Sequence, residues 1–224
     1  MDIKCWGSRG SIPVSGKQYV EHGGDTTCLE IRTRSDDLII VDAGTGIRRF
    51  GNQLIRGDRT DIHLLFTHAH WDHVMGFPFF KPIYMDRFAI RMYRCPFPRY
   101  VEKMLGQVMK SPFFPVRYDR LPARISYAGD YCGGQLRIGS VTIHPIHLSH
   151  PNTGFGFKFV EDGKTFVFIT DNELFHHHPK GLTYDDYAAF ARGADLLIHD
   201  GEYTDAEFEM YRSFGHSTSR HALD

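Results

Sequence analysis

Thr67-His68-Ala69-His70-Trp71-Asp72-His73 puts four metal-capable side chains within six residues. Imidazole and carboxylate are good ligands for divalent zinc, manganese or iron. A short loop at the end of a strand can point alternate side chains to different sides. His68 and His70 can then serve one metal, and Asp72 and His73 a neighbouring one. A merely polar loop would gain nothing from desolvating clustered histidines. The 14 histidines are the unusual number in this composition. His144, His147 and His150 lie three apart, and any of them could be a ligand. His176-His177-His178-Pro179 fits no motif and reads as a solvated loop.

The elements that must position these residues are mostly strands. Ile62 to Thr67 is an apolar run closed by His68, and Leu38 to Val41 is another, closed by Asp42-Ala43-Gly44-Thr45-Gly46. Such runs fit strands buried on both faces. Phe88 to Tyr93 reads as a third strand, and Tyr100 to Met109 has helical spacing. Leu136 to Ile138 and Val141 to Ile146 flank Gly139-Ser140 as a hairpin. Phe155 to Val160 and Lys164 to Thr170 flank Glu161-Asp162-Gly163 as a stronger one. Tyr184 to Arg192 and Thr204 to Tyr211 read as helices, Ala194 to His199 as a buried strand, and Ser217 onward as the start of another helix. Long strand runs with interspersed helices predict an α/β layered domain.

These residues together resemble the metallo-β-lactamase superfamily. His-x-His-x-Asp-His after an apolar strand is that family's metal motif, and Asp42-x-Gly-x-Gly resembles its preceding turn. His150, followed by Gly156-Phe157, looks like the third histidine of the first metal. Thr170-Asp171 looks like the aspartate that bridges the two metals. Leu197 to Glu202 resembles the family segment that follows that aspartate, and Gly215-His216-Ser217-Thr218 resembles the Gly-His-Ser motif of the tRNA 3′-processing endonuclease (ribonuclease Z) and its phosphodiesterase relatives. The resemblance runs from about Ile3 to the last residue.

The resemblance implies a four-layer αββα sandwich with the metals on loops at one edge. It implies one domain over residues 1–224, with 77–130 as a basic, aromatic-rich insertion near the cleft. It makes His68, His70, Asp72, His73, His150 and Asp171 the metal ligands, with Asp72 and His216 as catalytic residues. His144 and His147 are then strand residues or groups that orient ligands. The family adds one more histidine for the second metal, further along. This chain stops at Asp224, eight residues after His216, so that part of the fold is expected to be missing and the second site weak. His221, at the start of a helix, is not expected to substitute.

Charge and composition narrow the activity. The net charge is −1 over 224 residues, so the whole molecule is no magnet for nucleic acid. Residues 87–124 nevertheless hold nine Lys and Arg against Glu102 and Asp119. Cys5, Cys28, Cys95 and Cys132 are scattered and read as reduced thiols of a cytoplasmic protein. No apolar run reaches the ~18 residues of a membrane span, and no phosphate-cradling GxxxxGK[ST] is present. With the resemblance of Gly215-His216-Ser217 to the phosphodiesterase motif, the implied activity is hydrolysis of a small nucleotide-type or cyclic phosphodiester by a metal-bridging hydroxide. Zinc is the expected metal of the pair, with manganese and iron as alternatives. His216 would protonate the leaving oxygen. Nucleic acid is a less favoured substrate, no membrane is expected, and relatives suggest a homodimer. The alternatives are a hydrolase of an ester, lactone or thioester, and a non-catalytic binding domain with an incomplete second site. A flavodiiron-type oxidoreductase usually has Glu where His70 stands.

Overall fold

The computed structural model describes residues 1–93, 100–128 and 134–223. The chain forms two compact units, Met1–Cys132 and Gly133–Asp224. Arg94, Cys95, Arg99 and Cys132 lie outside the described residues.

The first unit builds a six-stranded sheet in chain order: β1 (Asp2–Gly7), β2 (Cys28–Arg32), β3 (Leu38–Val41), β4 (Asp61–Leu65), β5 (Ala89–Tyr93) and β6 (Arg124–Ala128). β1, β2 and β3 pair antiparallel, while β3 through β6 pair parallel. Parallel strands need cover on both faces, and all four residues of β3 are buried. One face sends Leu38, Ile40, Ile62, Leu64, Ile90 and Met92 into a core. Helices α1 (Gly46–Leu54) and α3 (Tyr100–Val108) close that core, and α2 (Trp71–Val74) lies between them in the chain. α1 buries Ile47, Phe50 and Leu54, three and four residues apart. Each such side chain contributes about 1.5–3 kcal/mol of apolar burial.

The stretch 77–130 does not stand apart from this sheet. It supplies β5, β6 and α3, and its Phe77, Phe80, Ile83 and Phe88 are fully buried in the same core. Its aromatics are therefore packing residues for the most part. The sequence obscures this because β6, Arg124-Ile125-Ser126-Tyr127-Ala128, alternates polar and apolar residues and contains no apolar run.

The second unit holds β7 (Leu136–Ile138), β8 (Val141–His147), β9 (Phe155–Glu161), β10 (Lys164–Ile169) and β11 (Leu196–His199), in the order β11-β10-β9-β8-β7. β10 and β11 are parallel, and the other pairs are antiparallel. Asp162 (φ 49°) and Gly163 (φ 72°) are both left-handed, as a two-residue type I′ hairpin turn requires. Helices α4 (Tyr184–Ala191) and α5 (Asp205–Tyr211) each start in a capping box, Thr183 with Asp186 and Thr204 with Glu207. Each cap stabilises its helix by roughly 1 kcal/mol. α6 (Ser219–Leu223) ends the described chain. Ile146, Leu148, Val167, Ile169, Leu174 and Tyr187 form one core cluster here.

β11 departs from its predicted burial. Leu196 and Leu197 are 42% and 41% exposed, because β11 is an edge strand with β10 as its one neighbour among the described residues. No helix among the described residues is long and apolar enough to cross a membrane.

Candidate metal centre

Both units place carboxylates where a parallel strand pair ends. In the first unit these are the carboxyl ends of β3 and β4, tied by Asp42 N donating to Leu65 O at 2.9 Å. Asp42 is fully buried and left-handed (φ 63°). Its Oδ1 accepts from Thr67 N at 2.7 Å, and its Oδ2 accepts from the Thr67 hydroxyl at 2.7 Å. The same Oδ2 lies 2.7 Å from His73 Nδ1. Two carboxylate oxygens cannot donate, so His73 carries its proton on Nδ1 and offers the Nε2 lone pair. With its proton committed to Asp42, Thr67 Oγ1 accepts from His68 Nδ1 at 3.1 Å. His68 is thereby set in the same tautomer. Ring centroids of His68 lie 4.6 Å from His70 and 4.1 Å from His73. Asp72 Oδ2 lies 3.4 Å from His73 Nε2 and accepts from Ser11 N at 3.0 Å. The Asp42 turn needs glycine at 44, since a Cβ there would meet Asp72 O at 2.4 Å.

In the second unit Asp171 follows β10 and Asp200 follows β11, joined by Asp200 N donating to Ile169 O at 2.9 Å. Asp171 is left-handed (φ 46°), and its Oδ2 lies 3.8 Å from His150 Nε2. His150 Nδ1 donates to Gly215 O at 2.9 Å, which sets Nε2 as the ring nitrogen that would ligate a metal. Gly215 has φ 97°, and a Cβ on it would sit 2.0 Å from His150 Nδ1. No other residue fits there. The loop that follows is held by two carboxylates. Asp200 Oδ2 accepts from Ser217 N at 2.6 Å, and its Oδ1 lies 3.4 Å from His216 Nδ1. Buried Glu173 accepts from Ser213 N at 2.8 Å and from Gly215 N at 2.9 Å, and His178 Nε2 lies 2.9 Å from its Oε2. Burial opposes charge on His216, but the Asp200 hydrogen bond and the fields of Asp171, Asp200 and Glu202 outweigh it. The imidazole is pushed up to about 9.

These donors suit a divalent cation. Three histidines have Nδ1 engaged by protein oxygen, leaving Nε2 to coordinate, and carboxylates lie beside two of them. Ligand atoms of His68 and His70 lie within 4.8 Å of each other, as do those of Asp72 and His73, and those of His150 and Asp171. The sequence profile of the β-lactamase superfamily domain matches residues 38–224. The chain belongs to the metallo-β-lactamase superfamily. It is accordingly a metal-dependent hydrolase of the α/β metallo-β-lactamase fold, and within the superfamily it resembles the ribonuclease Z branch. A ribonuclease Z of Streptococcus agalactiae is 23% identical over all of this chain and 84% of the relative. Human tRNase Z, short form, superposes with a TM-score of 0.63 at 21% identity, over 100% of this chain and 86% of that one. A diphosphatase of the PhnP family gives 0.63 at 17% identity, over 99% and 79%.

The superfamily residues fall in both units. His68, His70, Asp72 and His73 lie together in the first, and His150, Asp171 and His216 in the second. His147 is on β8, with its ring 4.1 Å from that of Phe155. His221 packs edge-on against Phe175 and Phe208 at 4.7 Å each. The solvated reading of 176–178 fails at His178, which is buried on Glu173. Ser11 and Glu173 hold candidate site residues by hydrogen bonds that no sequence motif marks. Ser11 acts through its backbone N–H, which no side chain announces. Glu173 has no motif of its own, although it follows Asp171 by two residues.

Proposed function

We propose that this hydrolase is a phosphodiesterase acting on a small nucleotide-type or cyclic phosphodiester. The observation that carries the reading is the Gly215-His216-Ser217 loop, clamped by Asp200 and Glu173 in the unit that holds His150 and Asp171. A fixed imidazole beside Asp200 can protonate the alkoxide that leaves a phosphodiester, whereas a thioester's thiolate leaves without such help.

Superfamily membership supports joining the two sets of ligands. His68, His70 and His150 would hold one cation, Asp72 and His73 a second, and Asp171 both. Zinc comes first by its preference for imidazole and carboxylate, followed by manganese and iron. Two such ions supply an activated water and neutralise charge on the phosphoryl oxygens. Asp42 and Thr67 hold the imidazoles in the ligating tautomer. Ser11 N–H fixes the rotamer of Asp72. His216 would donate a proton to the leaving oxygen, and the neutral imidazole would then take a proton from water, a charged form that Asp200 favours.

Relatives named ribonuclease Z make a tRNA precursor the natural rival substrate. The test is a panel on zinc- and manganese-loaded protein: a cyclic mononucleotide, a dinucleotide, a tRNA precursor with a 3′ trailer, an acyl ester and a thioester. Turnover of the first two is expected. Turnover of the acyl substrates alone would reject the reading, and trailer removal alone would reassign the substrate to tRNA.

A further inference from the structure

The hydrogen bond from Ser11 N to Asp72 Oδ2 brings two remote segments of the first unit together at one candidate ligand. Each segment leaves its neighbouring apolar side chain in solvent. Trp71, the residue before Asp72, is 63% exposed, and Ile12, the residue after Ser11, is 61% exposed. Single exposed apolar residues are ordinary and call for no explanation. Here two of them adjoin Ser11 and Asp72, which lie about sixty residues apart in the chain and are joined by that hydrogen bond. The chain's other tryptophan shows the contrast. Trp6 is buried, stacks on Phe50 at 4.9 Å between ring centroids, and donates Nε1 to Glu30 Oε2 at 2.8 Å.

We infer that Trp71 and Ile12 form a base-binding subsite beside Asp72, in which the indole stacks on the nucleobase of the substrate and Ile12 covers its edge. The inference rests on the phosphodiesterase reading and narrows it to esters that carry a nucleoside. The chemistry favours a flat ring as occupant. An indole face accepts any base by stacking, without a hydrogen-bond pattern. Next to two cations a neutral planar group is bound without competing for their charge, whereas an anionic group would be drawn onto the metals themselves.

The test compares two esters with the same leaving group on zinc-loaded protein: thymidine 5′-(p-nitrophenyl phosphate) and methyl p-nitrophenyl phosphate. Wild type should prefer the thymidine ester in kcat/KM. In Trp71→Ala that preference should fall about fivefold to a hundredfold, carried by KM. Trp71→Phe should restore most of it, and Ile12→Ala should lower it less. Thymidine monophosphate should quench the emission of wild type and leave that of Trp71→Phe unchanged. Equal loss on both esters in Trp71→Ala, or no loss of preference, would overturn the subsite while leaving the phosphodiesterase standing. If wild type turns over neither ester, the phosphodiesterase reading fails, and the fluorescence arm still decides the subsite. Quenching that depends on Trp71 supports it, and absence of quenching rejects it.

Discussion

Asp42 Oδ2 lies 2.7 Å from His73 Nδ1, with both side chains closed to solvent. The pair decides which nitrogen of His73 can bind a metal. Asp42→Asn can present an N–H to Nδ1 and so favour the other tautomer. Zinc affinity should fall about tenfold to a hundredfold, as for other partners of ligating histidines. Chelator competition measures this, with circular dichroism to confirm a folded chain. Unchanged affinity would mean that His73 does not ligate through Nε2.

Gly215 serves His150 in two ways, as the acceptor for Nδ1 and as the residue whose missing side chain makes room for the ring. Gly215→Ala meets a left-handed φ of 97° and a contact of 2.0 Å. It should destabilise the protein by more than about 1 kcal/mol. It should also lower metal content at the His150 site. Urea unfolding and metal analysis together check both effects.

The three histidines spaced along 144–150 separate by metal content. His150→Ala should lose bound zinc. His147→Ala should retain it, because the His147 ring packs tilted against Phe155 within the strand pair. The reverse outcome would move the ligand assignment to His147.

Glu173 carries an unusual load for a buried carboxylate. Glu173→Ala leaves Ser213 N, Gly215 N and His178 Nε2 without their acceptor. Gly215 and His178 are buried while Ser213 is exposed, so at about 1–3 kcal/mol for each buried unsatisfied group the loss should reach roughly 2 kcal/mol or more. Equilibrium denaturation reads it directly. A loss below 1 kcal/mol would show that water replaces the carboxylate.

Much of this was legible in the residues. Leu38 to Val41 and Ile62 to Leu65 announce themselves as buried strands because parallel pairing needs apolar side chains on both faces. Asp162-Gly163 fits the one turn that accepts two left-handed residues. The His68–His73 loop stands out because ligand chemistry demands residue types that ordinary loops do not cluster. What stayed hidden depends on distant partners. Neither the edge position of β11 nor the backbone donor at Ser11 leaves a local trace. The burial of His178 follows from Glu173, and that pairing is tertiary. β1 and β2 carry Lys4 and Glu30 between their apolar residues, which breaks up any apolar run. The segment 77–130 reads as an appendage because its core residues are spread among prolines and arginines, although β5 and β6 complete the sheet.

The central claim is a metal-dependent phosphodiesterase centre built on Asp72 and its neighbouring histidines. The most direct measurement is hydrolysis of bis(p-nitrophenyl) phosphate by metal-stripped protein re-supplied with zinc or manganese, alongside Asp72→Ala. Turnover should return with metal and be absent in Asp72→Ala. Wild-type protein that rebinds metal yet leaves the diester intact, or an Asp72→Ala variant as active as wild type, would contradict it.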